Sequence, residues 1–195
     1  MGAALCAGAG IGLFDSLRAV TWQSIVGDEA KHVEFFGNLS DNNAATRSNG
    51  FNTVLSQYPG LEKVAEELAN WDRTQGYNRM QSIMQAHPQI DAVISGNDEM
   101  VLGAIAALKE PGRLEGTIIG GFDASPDAVD AIRAGEMAYT VLQPVAVFSR
   151  EAVIEADCFI RNRTSMIDEG KQLFDCLLIT PDNLDQYTAP FALSN

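Results

Sequence analysis

Between the apolar run Ile90–Ser95 and an apolar-periodic segment ending near Leu108 stands Gly96-Asn97-Asp98-Glu99-Met100. A buried strand that stops at Gly-Asn-Asp and passes straight into a helix constrains the fold strongly. It puts polar side chains at the carboxyl end of a parallel strand, beside the N-terminus of the next helix. Open α/β sheets bind their ligands at that edge, in the crevice outside the strand ends.

The flanking sequence repeats the strand–helix alternation. Lys31–Gly37 is β-rich and closed by a Gly-Asn pair, and Asp41-Asn42-Asn43 offers N-caps for a helix running to about Gln57. Pro59-Gly60 turns the chain into a strand near Glu62–Ala69. A helix over Arg73–Ala86 follows, stopped at His87-Pro88 because a residue before proline is pushed out of the α region. Strand 91–95, helix 99–108, strand 117–121, helix 126–134 and strand 138–142 complete the series. Midpoints Val33, Val64, Val93, Ile118 and Thr140 are 22 to 31 residues apart, the length of one strand–helix unit. The expected fold is α/β, a doubly wound, mostly parallel sheet with helices on both faces. Three further elements are expected: a helix over 12–26, a long helical stretch from Val145 to about Arg163, and a late strand over Leu173–Thr180. A short C-terminal helix near 180–187 ends the series. The domain reading is an N-terminal apolar segment and helix (1–27), a ligand-binding lobe (28–143), and a crossover helix, last strand and tail (144–195).

Composition excludes several function classes. A formal charge of −13 and a pI near 4.4 with no basic cluster argue against nucleic acid and anionic membrane surfaces. Cys6, Cys158 and Cys176 are odd in number and widely spaced, so neither a disulfide framework nor a CxxC metal or redox site is written here. His32 lies inside a strand and His87 precedes a proline, and neither neighbours a nucleophile motif. No phosphate-cradling Gly-rich loop or HxH spacing is present, so the reading is non-catalytic, with no cofactor and no metal. The first residues lack a basic n-region and meet Asp15 early, which is not the pattern of an export signal.

Five residues fall at strand ends or at the start of the following helix: Arg47, Trp71, Asn97, Asp123 and Gln143. The winding of the fold would gather them at one edge. Their chemistry suits a neutral polyol: Asp accepts from two hydroxyls, an Arg fork donates, Asn and Gln do both, and an indole covers C–H surface. Each also has a plain alternative. Asn97 can be an N-cap, Asp123 can cap the helix after Ser125-Pro126, Arg47 can lie on a solvated face, and Trp71 can be core or rim packing.

The segments AVISGNDEMVLGAIAAL and IIGGFDASPDAVDAI resemble the periplasmic sugar-binding proteins of the ribose-binding type, over roughly residues 28 to 190. The resemblance implies a type I periplasmic binding fold and sugar contacts from Arg47 in ATRSNGF and Trp71 in ANWDRTQGYNRM. It adds Asn97 of NDEM, Asp123 of GFD, and Gln143 in AYTVLQP. It implies a solute-binding protein of an ABC-type sugar importer, or its C-terminal lobe. Such a protein binds a monosaccharide or polyol non-covalently in the periplasm, with a membrane permease as partner of the full-length form. Family members are bilobed, and the expectation is that only the C-terminal lobe is present. The alternative is the effector-binding core of a LacI-type repressor, which shares the fold; Met1–Leu13 contains neither Lys nor Arg, against a basic helix-turn-helix there. Two expectations follow from a single lobe: sugar binding near millimolar, and cover for the apolar 145–163 helix by the 12–26 helix or by a homodimer.

Overall fold

The computed structural model describes residues 29–164 and 176–186. Among these, β1 (Ala30–Phe36), α1 (Asn42–Leu55), β2 (Leu61–Leu68), α2 (Arg73–Ala86), β3 (Ala92–Ser95) and α3 (Asp98–Lys109) alternate without interruption. They continue into β4 (Ile118–Gly120), α4 (Pro126–Arg133), β5 (Thr140–Leu142), α5 (Val145–Asn162) and β6 (Leu177–Ile179). Strands β2-β1-β3-β4 form an all-parallel sheet in that order, with its direction of winding reversing beside β1.

Alternation along β1 sorts the two faces. Val33 and Phe35 join Val93, Ile119, Met100, Ala104 and Ile132 in the larger core, under α2, α3 and α4. On the other face Ala92 and Ile94 pack with Phe51 and Leu55 of α1 and with Tyr139 and Val141. Helices α2 and α3 touch backbone to backbone. A β-carbon at Gly76 would lie 2.1 Å from the Met100 carbonyl oxygen, and one at Gly103 would lie 2.0 Å from that of Arg73. Only glycine permits that approach. Asp41, Asp72, Asn97 and Ser125 cap α1 to α4, each accepting from a backbone N–H of the first turn.

Three expectations change. The strand expected over 138–142 does not form one ladder with β4: Gly120 and Tyr139 make an isolated parallel bridge, and β5 itself pairs antiparallel with β6. Backbone bonds still join the two segments, Ala138 N–H to Ile119 O, Gly121 N–H to Tyr139 O and Asp123 N–H to Val141 O, and the Tyr139 ring packs over Gly120, where a β-carbon would come within 2.1 Å of Cζ. The late strand is described only over Leu177–Ile179, and the C-terminal helix shrinks to one 3-10 turn, Leu184–Gln186. The 12–26 segment, its contact with 145–163, and Cys6 lie outside the described residues.

Candidate functional site

At the carboxyl edge of the sheet the chain leaves β2 through Asn70 and Trp71, both with left-handed backbone (φ 49° and 64°). That conformation is uncommon for a bulky residue. It lays the indole across the ends of the two neighbouring strands: a β-carbon on Gly37 would sit 2.1 Å from the ring, and one on Gly96 3.1 Å from it. The glycines after β1 and β3 form the bed of this aromatic platform.

Arg47, in the second turn of α1, reaches over the same edge. One terminal nitrogen donates to the Gly96 carbonyl oxygen at 2.6 Å, and the other lies 3.4 Å from Asp123 Oδ1. The guanidinium carbon stands 4.0 Å from the centroid of Phe122 and 5.4 Å from that of Trp71. A cation held between two rings and a carbonyl is fixed in direction. With its side chain 11% exposed, Arg47 is not a solvated-face residue, so that alternative fails.

Asp123 follows β4 with φ 113°, and Ala124 has φ 52°. Each such residue costs about 1–3 kcal/mol unless its surroundings enforce it. Ser125, not Asp123, caps α4, which removes the capping explanation for Asp123. Its Oδ1 accepts from Gln143 Nε2 at 2.5 Å, so Arg47, Asp123 and Gln143 form one connected polar set. Burial pushes the Asp123 carboxyl above its ordinary range, opposed by Arg47 and Gln143, which favour the anion. Asn97 caps α3, its Oδ1 accepting from Met100 N–H at 3.0 Å. Its side-chain Nδ2 donates no hydrogen bond among the described residues, so capping and a contact with a ligand are compatible.

Arg47, Trp71, Asp123 and Gln143 therefore converge, with Asn97 one residue from the carbonyl that Arg47 holds. Two participants were not legible as candidates. Phe122 reads as an ordinary core residue, yet it carries the guanidinium. Asp98 reads as a first-turn acid favourable to the helix macrodipole, yet it is 1% exposed and bonded to the turn containing Asp123. A second concavity, a groove of about 420 Å³ between α3 and α4, is floored by Leu102 and Ile105. Its charged groups are already paired, Arg73 with Glu99 and Asp127, and Lys109 with Glu136. No group of acidic, His or Cys residues suited to a metal ion occurs among the described residues.

A doubly wound lobe with such an edge defines a class, the open α/β units that take small molecules at their strand ends. Residues 23–156 match the family described as periplasmic binding protein domain, and the chain belongs to that family. It is 45% identical over 168 residues to the D-apiose import binding protein of Actinobacillus succinogenes, covering 86% of this chain and 54% of that one. It is 42% identical over 158 residues to the D-apiose import binding protein of Paraburkholderia graminis, covering 81% of this chain and 50% of that one. Among solved structures, an ABC transporter solute binding protein from Bacillus halodurans with bound myo-inositol superposes with a TM-score of 0.82 at 26% identity, covering 97% of this chain and 62% of that one. The chain spans about half the length of the curated relatives it matches.

Proposed function

We propose that this chain is a sugar-binding lobe of a solute-binding protein serving an ABC-type importer, taking a monosaccharide or polyol non-covalently and without catalysis. The observation that carries the reading is the connected set Arg47–Asp123–Gln143 beside the Trp71 platform. It offers a fixed donor fork, a carboxylate acceptor, an amide of both kinds and an aromatic face, the complement of a ring bearing several hydroxyls. The cation and the anion balance, which favours a neutral solute. The kinship with D-apiose and myo-inositol binders supports the importer reading over a LacI-type effector core. In this reading the working compartment is the periplasm and the partner of the full-length protein is a membrane permease.

The described edge meets a sugar from one side, whereas small-molecule sites normally bury most of their ligand. The 195-residue chain is therefore expected to bind D-apiose, D-ribose or myo-inositol near millimolar, about 4 kcal/mol of binding free energy. Calorimetric titration of wild type against Arg47→Ala and Asp123→Asn tests this. Loss of a charge-assisted contact predicts at least tenfold weakening in each variant. Equal affinity in all three proteins, or micromolar binding by the wild-type monomer, would contradict the site as drawn.

A further inference from the structure

The strained turn that carries Asp123 is tied to the following strand by two backbone bonds, Gly121 N–H to Tyr139 O and Asp123 N–H to Val141 O, and its other restraints centre on one buried side chain. Asp98 Oδ2 accepts from the Ser125 backbone N–H at 2.7 Å, and Oδ1 accepts from the Thr140 hydroxyl at 2.7 Å. The Asp98 backbone N–H donates to the Phe122 carbonyl oxygen at 2.8 Å. Thr140 passes the restraint on, because its hydroxyl oxygen accepts from the Ala124 N–H at 3.1 Å. Gly121 completes the arrangement: a β-carbon there would lie 2.3 Å from Asp98 Oδ1, so the carboxylate occupies the space a side chain would need. Asp98 and Thr140 are 1% and 0% exposed, and among the described residues the side-chain bonds of Asp98 go to Ser125 and Thr140, not to Arg47, Asp123 or Gln143.

We propose that Asp98 is a positioning residue of the ligand site: with Thr140 it locks the Gly121–Ser125 turn in the left-handed conformation that presents Asp123 to Arg47 and Gln143. Two backbone or hydroxyl donors converge on its two oxygens, a pattern that a carboxylate accepts and an amide does not, since the amide nitrogen turns one acceptor into a donor. The position is also favourable for an anion, in the first turn of α3. Without the lock the left-handed residues at 123 and 124 relax toward ordinary backbone, and Asp123 leaves the reach of Gln143. The consequence for affinity rests on the sugar-site reading; the consequence for the turn does not.

Two measurements on the 195-residue chain separate these. The first is amide hydrogen exchange at Asp123, whose N–H donates to Val141 O, a group Asp98 does not touch. Asp98→Asn and Thr140→Val are expected to speed this exchange at least tenfold, with the β1 and β3 amide shifts unchanged, while Thr140→Ser matches wild type. The second is a double-mutant cycle on titration with D-apiose and myo-inositol. Asp98→Asn is expected to weaken binding tenfold or more in the wild-type background and to add nothing in Asp123→Ala. If Asp98→Asn does not fold, Thr140→Val gives both readouts. Unchanged Asp123 exchange in the folded variants, or additive losses in the cycle, overturns the proposal. If neither sugar binds wild type, the sugar reading fails and the exchange result still decides the role of Asp98.

Discussion

His32 sits in the central strand β1, 2% exposed, and among the described residues neither ring nitrogen has a hydrogen-bond partner of good geometry. Burial and the nearby Lys63 ammonium lower its pKa from 6.5 to about 4, while the Glu62 backbone pulls weakly the other way. The unfolded chain then takes up the proton first as pH falls. Stability from this group is complete above 6.5 and is lost between 6.5 and about 4, by about 2–3 kcal/mol. Asp98 acts in the opposite sense. Burial raises it from 3.8 to about 7, so its contribution is complete below 3.8 and is lost as pH rises to about 7. Wild type therefore shows a flattened acid profile, and the two groups are separable only by substitution. His32→Leu retains Asp98, so the difference between variant and wild type isolates the histidine. In urea unfolding, the variant is expected to gain on wild type by that amount between pH 7 and 4; parallel profiles would refute the assignment. At this scale the sequence disclosed residue types better than roles. Asn97 and Asp123 are visible because each ends an apolar strand, whereas Asp98 hides behind the ordinary preference for acids in a first helical turn. The left-handed backbone at Trp71 has no signature either, since nothing in Asn-Trp-Asp demands it.

At the scale of elements, the contact between α2 and α3 does most to place the edge, because these helices begin at Arg73 and Asp98, two residues after Trp71 and one after Asn97. The Arg73 guanidinium joins Glu99 and Asp127 across the starts of α2, α3 and α4, but all three side chains are well exposed and such pairs contribute little. The close backbone approach at Gly103 matters more. Gly103→Ala places a methyl 2.0 Å from the Arg73 carbonyl oxygen, and the helices must separate. Overpacking of this kind costs about 1–3 kcal/mol, offset only slightly by the better helix propensity of alanine. Chemical denaturation is expected to show that loss, and a neutral or stabilised variant would mean that the helices are not in contact. The order of the elements was readable from apolar periodicity and caps: α2 falls over Arg73–Ala86 as the sequence indicates, and α1, α3 and α4 agree within a residue or two. The pairing of β5 was not, because its antiparallel partner β6 lies more than thirty residues further along the chain, and β propensity at 138–142 does not say which strand it meets.

For the molecule as a whole, α5 stands apart: none of its residues is buried, and Val153, Ile154, Phe159 and Ile160 are 69%, 43%, 51% and 66% exposed. Bare apolar area forfeits about 25 cal/mol per Å², a strong drive toward cover. We propose that the 195-residue chain self-associates through 145–163, a two-fold contact of identical faces. Light scattering is expected to find a dimer that Val153→Glu with Phe159→Glu dissociates; a wild-type monomer at high concentration would rule it out. Whatever covers α5, ligand binding falls to the polar edge. Chemical-shift mapping of the labelled chain during titration with D-apiose and myo-inositol addresses it most directly. Saturable shifts are expected to concentrate at Arg47, Trp71, Asn97, the 121–125 turn and Gln143. Shifts centred instead on the groove between α3 and α4, or none at tens of millimolar sugar, would contradict it.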